Sequence, residues 1–511
     1  MLPDENAPDY GEDSEALHAI EQLVHPHGPA LVELYFRVVH PAFPIIQKQI
    51  FLERHRGGDR QFSPPLLAGI YILALNWWSH DPKLAGYPKP NTARLEAVAS
   101  RSLTLAMDRP KLSTVQAGLL LLQRPEADSW SLTTQLVAIG QEMGLHLDCS
   151  NWTVPRWEVC LRKRIAWALY MQDKWSSLIH GRPSHIFAAN WAVQGIVDED
   201  FLEEGQEGAN PLPPASEEDK VENERGETIF SQMIVLTSIM AEVMDTFFTQ
   251  IAIQEFANAG KNATRLILDR AKPVQIRLKE WFAHLPDNVR MTSTSETRLC
   301  STGHLHLAYF ATEITLHRRI VQSLDSEHSD AYLLYICRSA AKTRLISAMD
   351  FVNRLKPSHL QAFWYFASKI NFTLIGTFGS LLWATAPGQE EADFYKTRLS
   401  EYRWTLSVSS KRADFLQYAV QMLDASRAML KNLAEKPALA QAQVNNAGVP
   451  TESAPSMVQQ QPSFQHEDTE MSGTQPLMRY ASGSSFSGFQ NEEMQQFSFD
   501  RDHIPEGTMS E

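Results

Sequence analysis

Residues 129–191 decide the fold, and they read SWSLTTQLVAIGQEMGLHLDCSNWTVPRWEVCLRKRIAWALYMQDKWSSLIHGRPSHIFAANW. In the first part, apolar side chains recur at the spacing of one helical face, at Leu132, Leu136, Ile139 and Met143. Gly144 follows where a left-handed residue would end such a helix. This part therefore predicts an amphipathic helix that stops at Gly144.

The second part predicts a longer and more deeply buried helix. Its apolar residues form two adjoining stripes, Leu161, Ile165 and Leu169 in one, and Trp167, Met171, Trp175 and Leu178 in the other. A helix that is apolar over so much of its circumference is buried on most sides. Glu158 stands four residues before Arg162, in the favourable order for an ion pair, and Gly181 and Pro183 end the helix.

Helical patterns continue outward from this stretch in both directions. They cover residues 31–43, 66–78, 92–107, 113–122, 229–248, 266–281, 304–324, 331–355, 363–383 and 412–433. Ser113 with Gln116 predicts a capping box for one of them. Sustained alternation of period two, bounded by Asn-Gly or Asp-Gly turns, is missing from the sequence. The fold class is therefore all-α.

Composition divides the chain into a large folded domain and two unfolded ends. Residues 1–20 are acidic and are expected to be disordered, and the regulatory domain covers residues 21–440. Its two helical halves, 21–197 and 228–440, are separated by an acidic, Pro-containing stretch at 198–227 that predicts a loop.

The last segment, residues 441–511, is rich in Gln, Ser, Pro and Asn. It carries ten acidic residues against two arginines, a net charge of −8. Too few apolar groups are present to offset the entropy of ordering, so disorder is expected. Aromatic residues are scattered among the acidic ones, at Phe464, Phe486, Phe489, Phe497 and Phe499. This composition is typical of an activation region, and an inert solvated tail is the alternative.

Charge and cysteine usage restrict the compartment and the partners. The net charge of −14 argues against a general basic face for nucleic acid. Four widely spaced cysteines and no secretory leader favour a reducing compartment without disulfides. The apolar stretch 363–386 is interrupted by Lys369 and Asn371, and what remains is shorter than the ~20 residues of a membrane span, so a buried core helix is expected.

Motifs of catalysis or metal binding have little support. The sequence contains no GxSxG, no GxxxxGK[ST] and no GxGxxG after a strand. The acidic run 198–200 resembles a magnesium motif of terpene synthases, but a second cluster is missing and a solvated loop is favoured. His304, His306 and His317 are expected to be structural or surface residues rather than metal ligands, and Arg162-Lys163-Arg164 a solvated or ion-paired face.

The Gly-Arg-Pro-Ser turn after the long helix supplies the candidate site. The guanidinium of Arg182 suits bonds to a carboxylate or to helix carbonyls, and Asp173 is its nearest predicted partner. Pinning the turn is the favoured role, with binding of an effector or partner as the alternative. The candidate set also contains Trp167, Trp175 and His185. A pocket between the two helical halves is a further hypothesis.

Several motifs together resemble one known family. They are Gly-Leu-His-Leu-Asp at 144–148, the helix 161–174, Gly-Arg-Pro-Ser at 181–184, Leu-Tyr-Phe at 34–36, Pro-x-Phe-Pro-Ile at 41–45 and Ser-Thr-Val-Gln-Ala at 113–117. The chain resembles the fungal-specific transcription factor domain, the middle homology region of fungal binuclear zinc-cluster regulators, over roughly residues 30–200. The sequences of residues 63–66, 110–113 and 180–185 further resemble those of the TamA-like nitrogen-catabolism coactivators.

The resemblance implies a nuclear, non-enzymatic regulator of metabolic genes, an activator or coactivator. Its partners would be other transcription factors and the transcription machinery, with a homodimer and a small-molecule effector also open. The family's DNA-binding module holds zinc through six cysteines, but this chain has four and no CxxC, so no cofactor is expected in it. DNA contact would be indirect or would come through an N-terminal module missing from this sequence. An all-α enzyme of the prenyl-chain cyclase type and a non-transcriptional helical scaffold are the alternatives.

Overall fold

The computed structural model describes residues 10–56, 62–124, 129–202, 217–291, 299–324 and 330–430. Across these ranges the chain forms α-helices joined by short turns and 3₁₀ segments, and no strand occurs in them. The all-α prediction is confirmed. The predicted tail, 441–511, and its aromatic residues lie outside the described residues.

The helices follow one another closely. The first eight are α1 (Tyr10–Val24), α2 (Gly28–Val38), α3 (Lys48–Arg56), α4 (Pro64–Ala74), α5 (Thr92–Ala106), α6 (Leu112–Leu122), α7 (Ser129–Glu142) and α8 (Arg156–His180). The next nine are α9 (Glu217–Phe247), α10 (Gln250–Asn258), α11 (Ala263–Ala283), α12 (Thr302–Ser323), α13 (Ala331–Asn353), α14 (Pro357–Leu360), α15 (Ser368–Ala384), α16 (Gln389–Ser409) and α17 (Leu416–Leu430). Their apolar faces share one continuous core.

The two helices of residues 129–191 end as their sequence predicts. Gly144 follows α7 with φ of +73°, and Gly181 caps α8 with φ of +60° in the left-handed region. The Arg162 guanidinium donates to the Glu158 carboxylate at 2.9 Å. Helix α8 packs against α6, α7 and α9, which explains why its two apolar stripes cover most of its surface.

The prediction of disorder for residues 1–20 is wrong for residues 10–20, which belong to α1. The acidic composition did not indicate two contacts that hold the end of that helix to the rest of the fold. Ile20 is buried in the core, and the Tyr71 hydroxyl of α4 donates to the Glu21 carboxylate at 2.8 Å. Packing against α4 and α5 therefore orders a segment whose own composition is poor in core residues.

The loop predicted at 198–227 is likewise shorter than expected, because α9 begins at Glu217. Its acidic residues are partly neutralised by cations one turn away, as in the Arg225–Glu222 pair. Gly226 then lies against the backbone of Pro41, so close that a Cβ would come within 2.2 Å of the Pro41 carbonyl oxygen. Direct backbone packing against the first half fixes the start of α9.

Five helices, α1, α3, α10, α14 and α16, were missed by the sequence patterns. In α16 the buried residues alternate in steps of three and four, at Ala392, Tyr395, Leu399, Tyr402 and Leu406. Two of these five are tyrosines, which weaken the apolar contrast on which the pattern depends. The prediction of Ser113 as the capping residue of α6 was also wrong. That helix begins at Leu112, and the hydroxyl of Thr114, not Ser113, accepts from the Lys111 N–H at 3.1 Å.

One helix in the described ranges, Asp219–Phe247 of α9, has the length and composition to cross a membrane. In the most apolar 18 residues of this helix, 56% are buried inside the fold, and core helices commonly have the same length and composition. The segment 363–386 contributes α15, which packs against α12, α16 and α17 as a core helix. All four cysteines are buried, as expected of small core residues, and burial raises the pKa of Cys337 to about 11.

Candidate functional site

The carboxylate of Asp173 organises the turn that follows α8. It is fully buried and accepts four groups from three consecutive residues. The Ser184 hydroxyl donates at 2.6 Å, the backbone N–H groups of His185 and Ile186 at 3.1 and 3.0 Å, and His185 Nδ1 lies 2.8 Å away. A buried carboxylate that gathers several donors is strongly tied to its surroundings. The turn is therefore folded back onto the helix that precedes it.

His185 extends this tie to α7. Its Nε2 lies 3.1 Å from the Thr134 hydroxyl, and its ring packs against Trp130 with centroids 4.7 Å apart. Asp173, His185 and Thr134 have the arrangement of the acid, base and nucleophile of a catalytic triad. However, the Thr134 hydroxyl also bonds to the Trp130 carbonyl in its own helix, at 3.0 Å, so it is not held for the histidine alone. The geometry favours a structural tie between α7 and α8.

Arg182 occupies a different position from the one predicted. Its guanidinium lies over the Trp130 ring, 5.2 Å from the centroid, and the carboxylate of Asp173 is taken by the residues that follow it. The backbone of Arg182 holds the turn, since its N–H donates to the Ser177 carbonyl and its own carbonyl accepts from the Ser177 hydroxyl. Left-handed Gly181 directs the chain so that Ser184, not Arg182, reaches the acid. The predicted pairing of Arg182 with Asp173 is therefore wrong.

Lys174 belongs to this cluster and was missed by the sequence. Its ammonium donates to the Ser184 hydroxyl at 2.7 Å and to the Ile186 carbonyl at 2.5 Å. Burial lowers the pKa of Lys174, and the carboxylates of Asp245 and Asp173 oppose that shift. The sequence could have indicated this role, because Lys174 directly follows Asp173 in an apolar helix. Two buried charges need polar partners, so both side chains were candidates for the same cluster.

The two candidate tryptophans serve other contacts. The indole N–H of Trp175 donates to the Thr237 hydroxyl of α9 at 2.9 Å in the core. Trp167 donates to the Gln194 carbonyl at 2.9 Å and packs edge-on against Trp191. The structure thus gathers Asp173, His185 and, through Trp130, Arg182, while Trp175 and Trp167 lie outside that cluster.

A second set of contacts joins the two helical halves. The Tyr365 hydroxyl donates to the Ala42 carbonyl at 2.7 Å, inside the Pro-x-Phe-Pro-Ile motif. Nearby, the Trp77 indole donates to the Gln361 carbonyl at 2.6 Å. The Phe43 ring packs against Tyr365 with centroids 5.5 Å apart. Residues 361–366 therefore lie directly against the Pro-x-Phe-Pro-Ile motif at 41–45, which is one of the family motifs.

Two buried glutamines continue this junction as a polar chain. Gln172 of α8 donates to the Thr133 hydroxyl at 3.1 Å, and Gln123 donates to the Gln172 side-chain oxygen at 3.2 Å. The Gln123 oxygen accepts from the Phe366 N–H at 3.2 Å. Each glutamine thereby satisfies both ends of its amide, as buried polar groups require. The chain links α7 and α8 to the residues that precede α15.

A cavity lies beside these glutamines, where the sequence suggested a pocket between the halves. Its walls come from α8, α9, α12, α15 and the residues just before α15. The space holds about one water-sized molecule, which is too small for a metabolite in this conformation.

Asp200, one of the acidic residues considered for metal chemistry, is engaged in other contacts. Asp200 is buried, accepts the Val197 N–H at 2.9 Å and pairs with Lys163. The prediction of a solvated acidic loop is therefore wrong for Asp200, because a neighbouring cation on α8 compensates its burial. Arg164 is buried too and donates to the Gln47 side chain at 2.8 Å. No group of metal-ligating side chains with the spacing of an ion site occurs among the described residues.

The three histidines of α12 are buried, as expected of structural residues. Burial lowers the pKa of His304 and of His317 to about 3. His306 Nε2 lies 2.9 Å from the Val289 carbonyl. The imidazoles of His304 and His317 are therefore neutral at physiological pH.

These features define an all-α domain whose polar groups tie helices together around a buried junction. Comparison with known proteins then identifies the family. Residues 32–283 match the fungal specific transcription factor domain. Through these residues the chain belongs to that family, as its motifs indicated.

Three relatives illustrate the similarity. The transcriptional activator protein DAL81 of Saccharomyces cerevisiae is 40% identical over an alignment of 431 residues that covers 78% of this chain and 44% of that protein. An uncharacterized transcriptional regulatory protein of Schizosaccharomyces pombe is 27% identical, covering 70% of this chain and 51% of the relative. The acetamidase regulatory protein of Aspergillus oryzae is 26% identical, covering 67% and 41%.

The chain thus spans about half or less of the length of these relatives. No solved structure matches it.

Proposed function

We propose that this chain is a fungal transcription regulator, an activator or coactivator, that works in the nucleus. One observation carries the proposal, namely the 40% identity to a transcriptional activator over an alignment that covers 78% of this chain, beside the match to the family domain. The similarity extends past residue 283, the end of the family match, because 78% of the 511 residues is more than the 283 residues up to that point. Both helical halves therefore share the ancestry of that activator.

The helical domain supplies a rigid platform in this proposal. Its halves are joined through one core and through the bonds of Tyr365 and Phe366, so partners meet a single body. Other transcription factors would dock on this body and provide contact with DNA. A homodimer and a small-molecule effector remain part of the proposal on the strength of the family resemblance.

The segment 441–511 supplies the activating surface in this proposal. Acidic residues surround its five phenylalanines and keep them available for weak, multivalent contacts with the transcription machinery. Since the helical domain contributes scaffolding rather than chemistry, the protein is proposed to have no enzymatic activity. The resemblance to nitrogen-catabolism coactivators, together with a relative named as an acetamidase regulator, suggests genes of nitrogen-source use as targets.

The experiment is reporter transcription in a fungal cell from two fusions to a foreign DNA-binding domain. One carries residues 441–511 and the other carries the full 511-residue chain. Activation by both is expected, and it should be weaker in the full chain if the helical domain restrains the tail.

The matched control replaces Phe464, Phe486, Phe489, Phe497 and Phe499 by Ala in the full chain, which leaves every charge in place. This variant should lose most of the signal. Silence of both unmodified fusions at normal protein levels would contradict the proposal and leave a scaffold or an enzyme to be tested.

A further inference from the structure

The last five helices, α13 to α17, carry positive charge in an otherwise acidic chain. Residues 331–430 contain 12 Lys and Arg against 7 Asp and Glu, a net charge of +5. Residues 1–330 contain 30 basic and 42 acidic residues, a net charge of −12, and residues 441–511 carry −8. The helices that directly precede the acidic tail therefore have the opposite sign, and the two parts attract each other.

Three of these cations surround a shallow cleft between α15, α16 and α17. Lys396 and Arg403 of α16, Arg427 of α17 and the ring of Trp383 of α15 all line it. Arg403 donates to the Asp424 carboxylate at 2.7 Å. Lys396 and Arg427 are exposed and form no ion pair within the described residues. The cleft therefore keeps an excess of positive charge that is open to solvent.

An exposed aromatic ring borders this cationic cleft. Lys396, Ser400 and Trp404 follow one another at intervals of four residues, so they form one row along the surface of α16. Lys396 and Ser400 line the cleft, and the side chain of Trp404 is 68% exposed. A surface that presents cations beside an aromatic ring favours a partner that combines carboxylates with aromatic side chains.

The segment 464–470, Phe-Gln-His-Glu-Asp-Thr-Glu, has this chemistry, with one phenylalanine and three acidic residues in seven positions. Helix α17 ends at Leu430, three residues after Arg427, so the chain that leads to this segment starts beside the cleft. A connection of 33 residues without fixed structure spans roughly 30 Å on average, which is ample for this return. Effective concentration falls with about the −3/2 power of linker length, so the second acidic and aromatic segment, 492–500, is disfavoured roughly 2.5-fold.

We propose that the segment 464–470 docks on the cationic cleft of its own chain. Its three carboxylates face Lys396 and Arg427, and the ring of Phe464 packs against Trp404. The contact is weak and sensitive to salt, because each exposed ion pair contributes little. Its regulatory meaning rests on the proposed function, since docking withholds Phe464 from the transcription machinery. The contact itself is measured without transcription.

A carbodiimide crosslinker of zero length tests the contact on the full chain, because it joins an ammonium group to a carboxylate only where the two meet. Crosslinked peptides are identified by mass spectrometry at about 50 mM and about 1 M salt. An equal mixture of unlabelled and nitrogen-15-labelled protein separates links within one chain from links between chains. The expected result is a link within one chain from Lys396 to Glu467, Asp468 or Glu470, with a yield that falls at least about fivefold at the higher salt.

Paired variants test the two halves of the contact. Arg427→Glu should lower the yield of this link about fivefold, whereas Arg412→Glu, an exposed cation that does not line the cleft, should change it less than about twofold. Phe464→Ala should lower the yield about fivefold and Phe486→Ala, outside the segment, should leave it unchanged. Both arginines are exposed, so neither reversal should unfold the protein, and the comparison of two salt concentrations needs no variant.

Three outcomes would overturn the proposal. One is the absence of any link from Lys396 to residues 467–470. Another is a link that forms only between different chains, which would make a second copy the occupant. The third is an equal yield from Lys396 and from the exposed Lys261, far along the chain, with no response to Arg427→Glu.

Failure of this contact and failure of the proposed function are distinguishable. A link in a chain whose reporter fusions are silent would retain the contact and contradict the transcriptional role. Reporter activation without the link would retain that role and overturn the contact.

Discussion

Removal of the Asp173 carboxylate should destabilise the protein more than removal of any one of its donors. The acid is fully buried and accepts from Ser184, from the backbone and ring of His185, and from Ile186. Asp173→Ala would leave the buried Ile186 N–H and the half-buried groups of Ser184 and His185 without this charged acceptor. Lys174 would also lose the neighbouring negative charge, so its burial would become less favourable.

The magnitude follows from the number and type of these bonds. A hydrogen bond to a charged group contributes about 1.5–3 kcal/mol, but such contributions are not additive. Removing one partner of a buried charged network costs about 3–5 kcal/mol, and that is the loss we expect for Asp173→Ala. Asp173→Asn keeps one acceptor oxygen and should lose about 2–3 kcal/mol. Ser184→Ala removes the hydroxyl that donates to Asp173 and accepts from Lys174, and should lose about 1.5 kcal/mol.

The assay is urea unfolding of the full chain, followed by tryptophan fluorescence, with free energies obtained by linear extrapolation. Trp130 lies against His185 and reports on the turn itself. The expected order of destabilisation is Ala at 173, then Asn at 173, then Ala at 184. An Asp173→Ala variant within about 1 kcal/mol of the unmodified protein would refute the view that this carboxylate holds the turn.

Three further predictions concern the rest of the fold. Burial lowers the pKa values of His40, His304 and His317 to about 3, below the value of about 6.5 in an unfolded chain. The unfolded state therefore binds more protons than the folded state. As a result, stability is lost as the pH falls below 6.5. Each should cost about 2 kcal/mol between pH 7 and pH 5, and His317→Gln should flatten the measured dependence of urea stability on pH by that amount; an unchanged slope would contradict the assignment. Gly226→Ala places a Cβ within 2.2 Å of the Pro41 carbonyl and should destabilise by more than about 3 kcal/mol, whereas Gly11→Ala, where nothing lies within 4 Å, should change stability by less than about 1 kcal/mol; equal effects in the same urea assay would be inconsistent with the packing. Trp77→Phe removes the bond to the Gln361 carbonyl and should cost about 1–2 kcal/mol and speed amide exchange near residue 361 in hydrogen–deuterium exchange; unaltered exchange there would count against this link between the halves.

The sequence predicted the elements whose causes are local. The stops at Gly144 and Gly181 and the Glu158–Arg162 pair depend on residues within one or two turns of each other. Such features can be read from spacing alone. The long apolar stripes of α8 and α15 were equally plain, because core helices differ strongly from polar loops in composition.

The remaining features depend on contacts that are remote in the sequence. Helix α1 is ordered through Glu21 and Tyr71, and α9 begins early because Gly226 fits against Pro41. No local pattern contains that information. The prediction of Arg182 as the partner of Asp173 was wrong for a related reason. Its four donors come from a turn whose path is set by the left-handed Gly181, and spacing gives the presence of that turn but not its direction.

The central claim, that the chain regulates transcription, is tested most directly by acute depletion of the native protein from growing cells. Transcripts are sequenced within minutes of depletion, and metabolite pools are measured in parallel. The account predicts a prompt fall in a limited set of metabolic transcripts, before any change in metabolites. A metabolite that accumulates while nascent transcripts stay constant would contradict the claim and point to an enzyme.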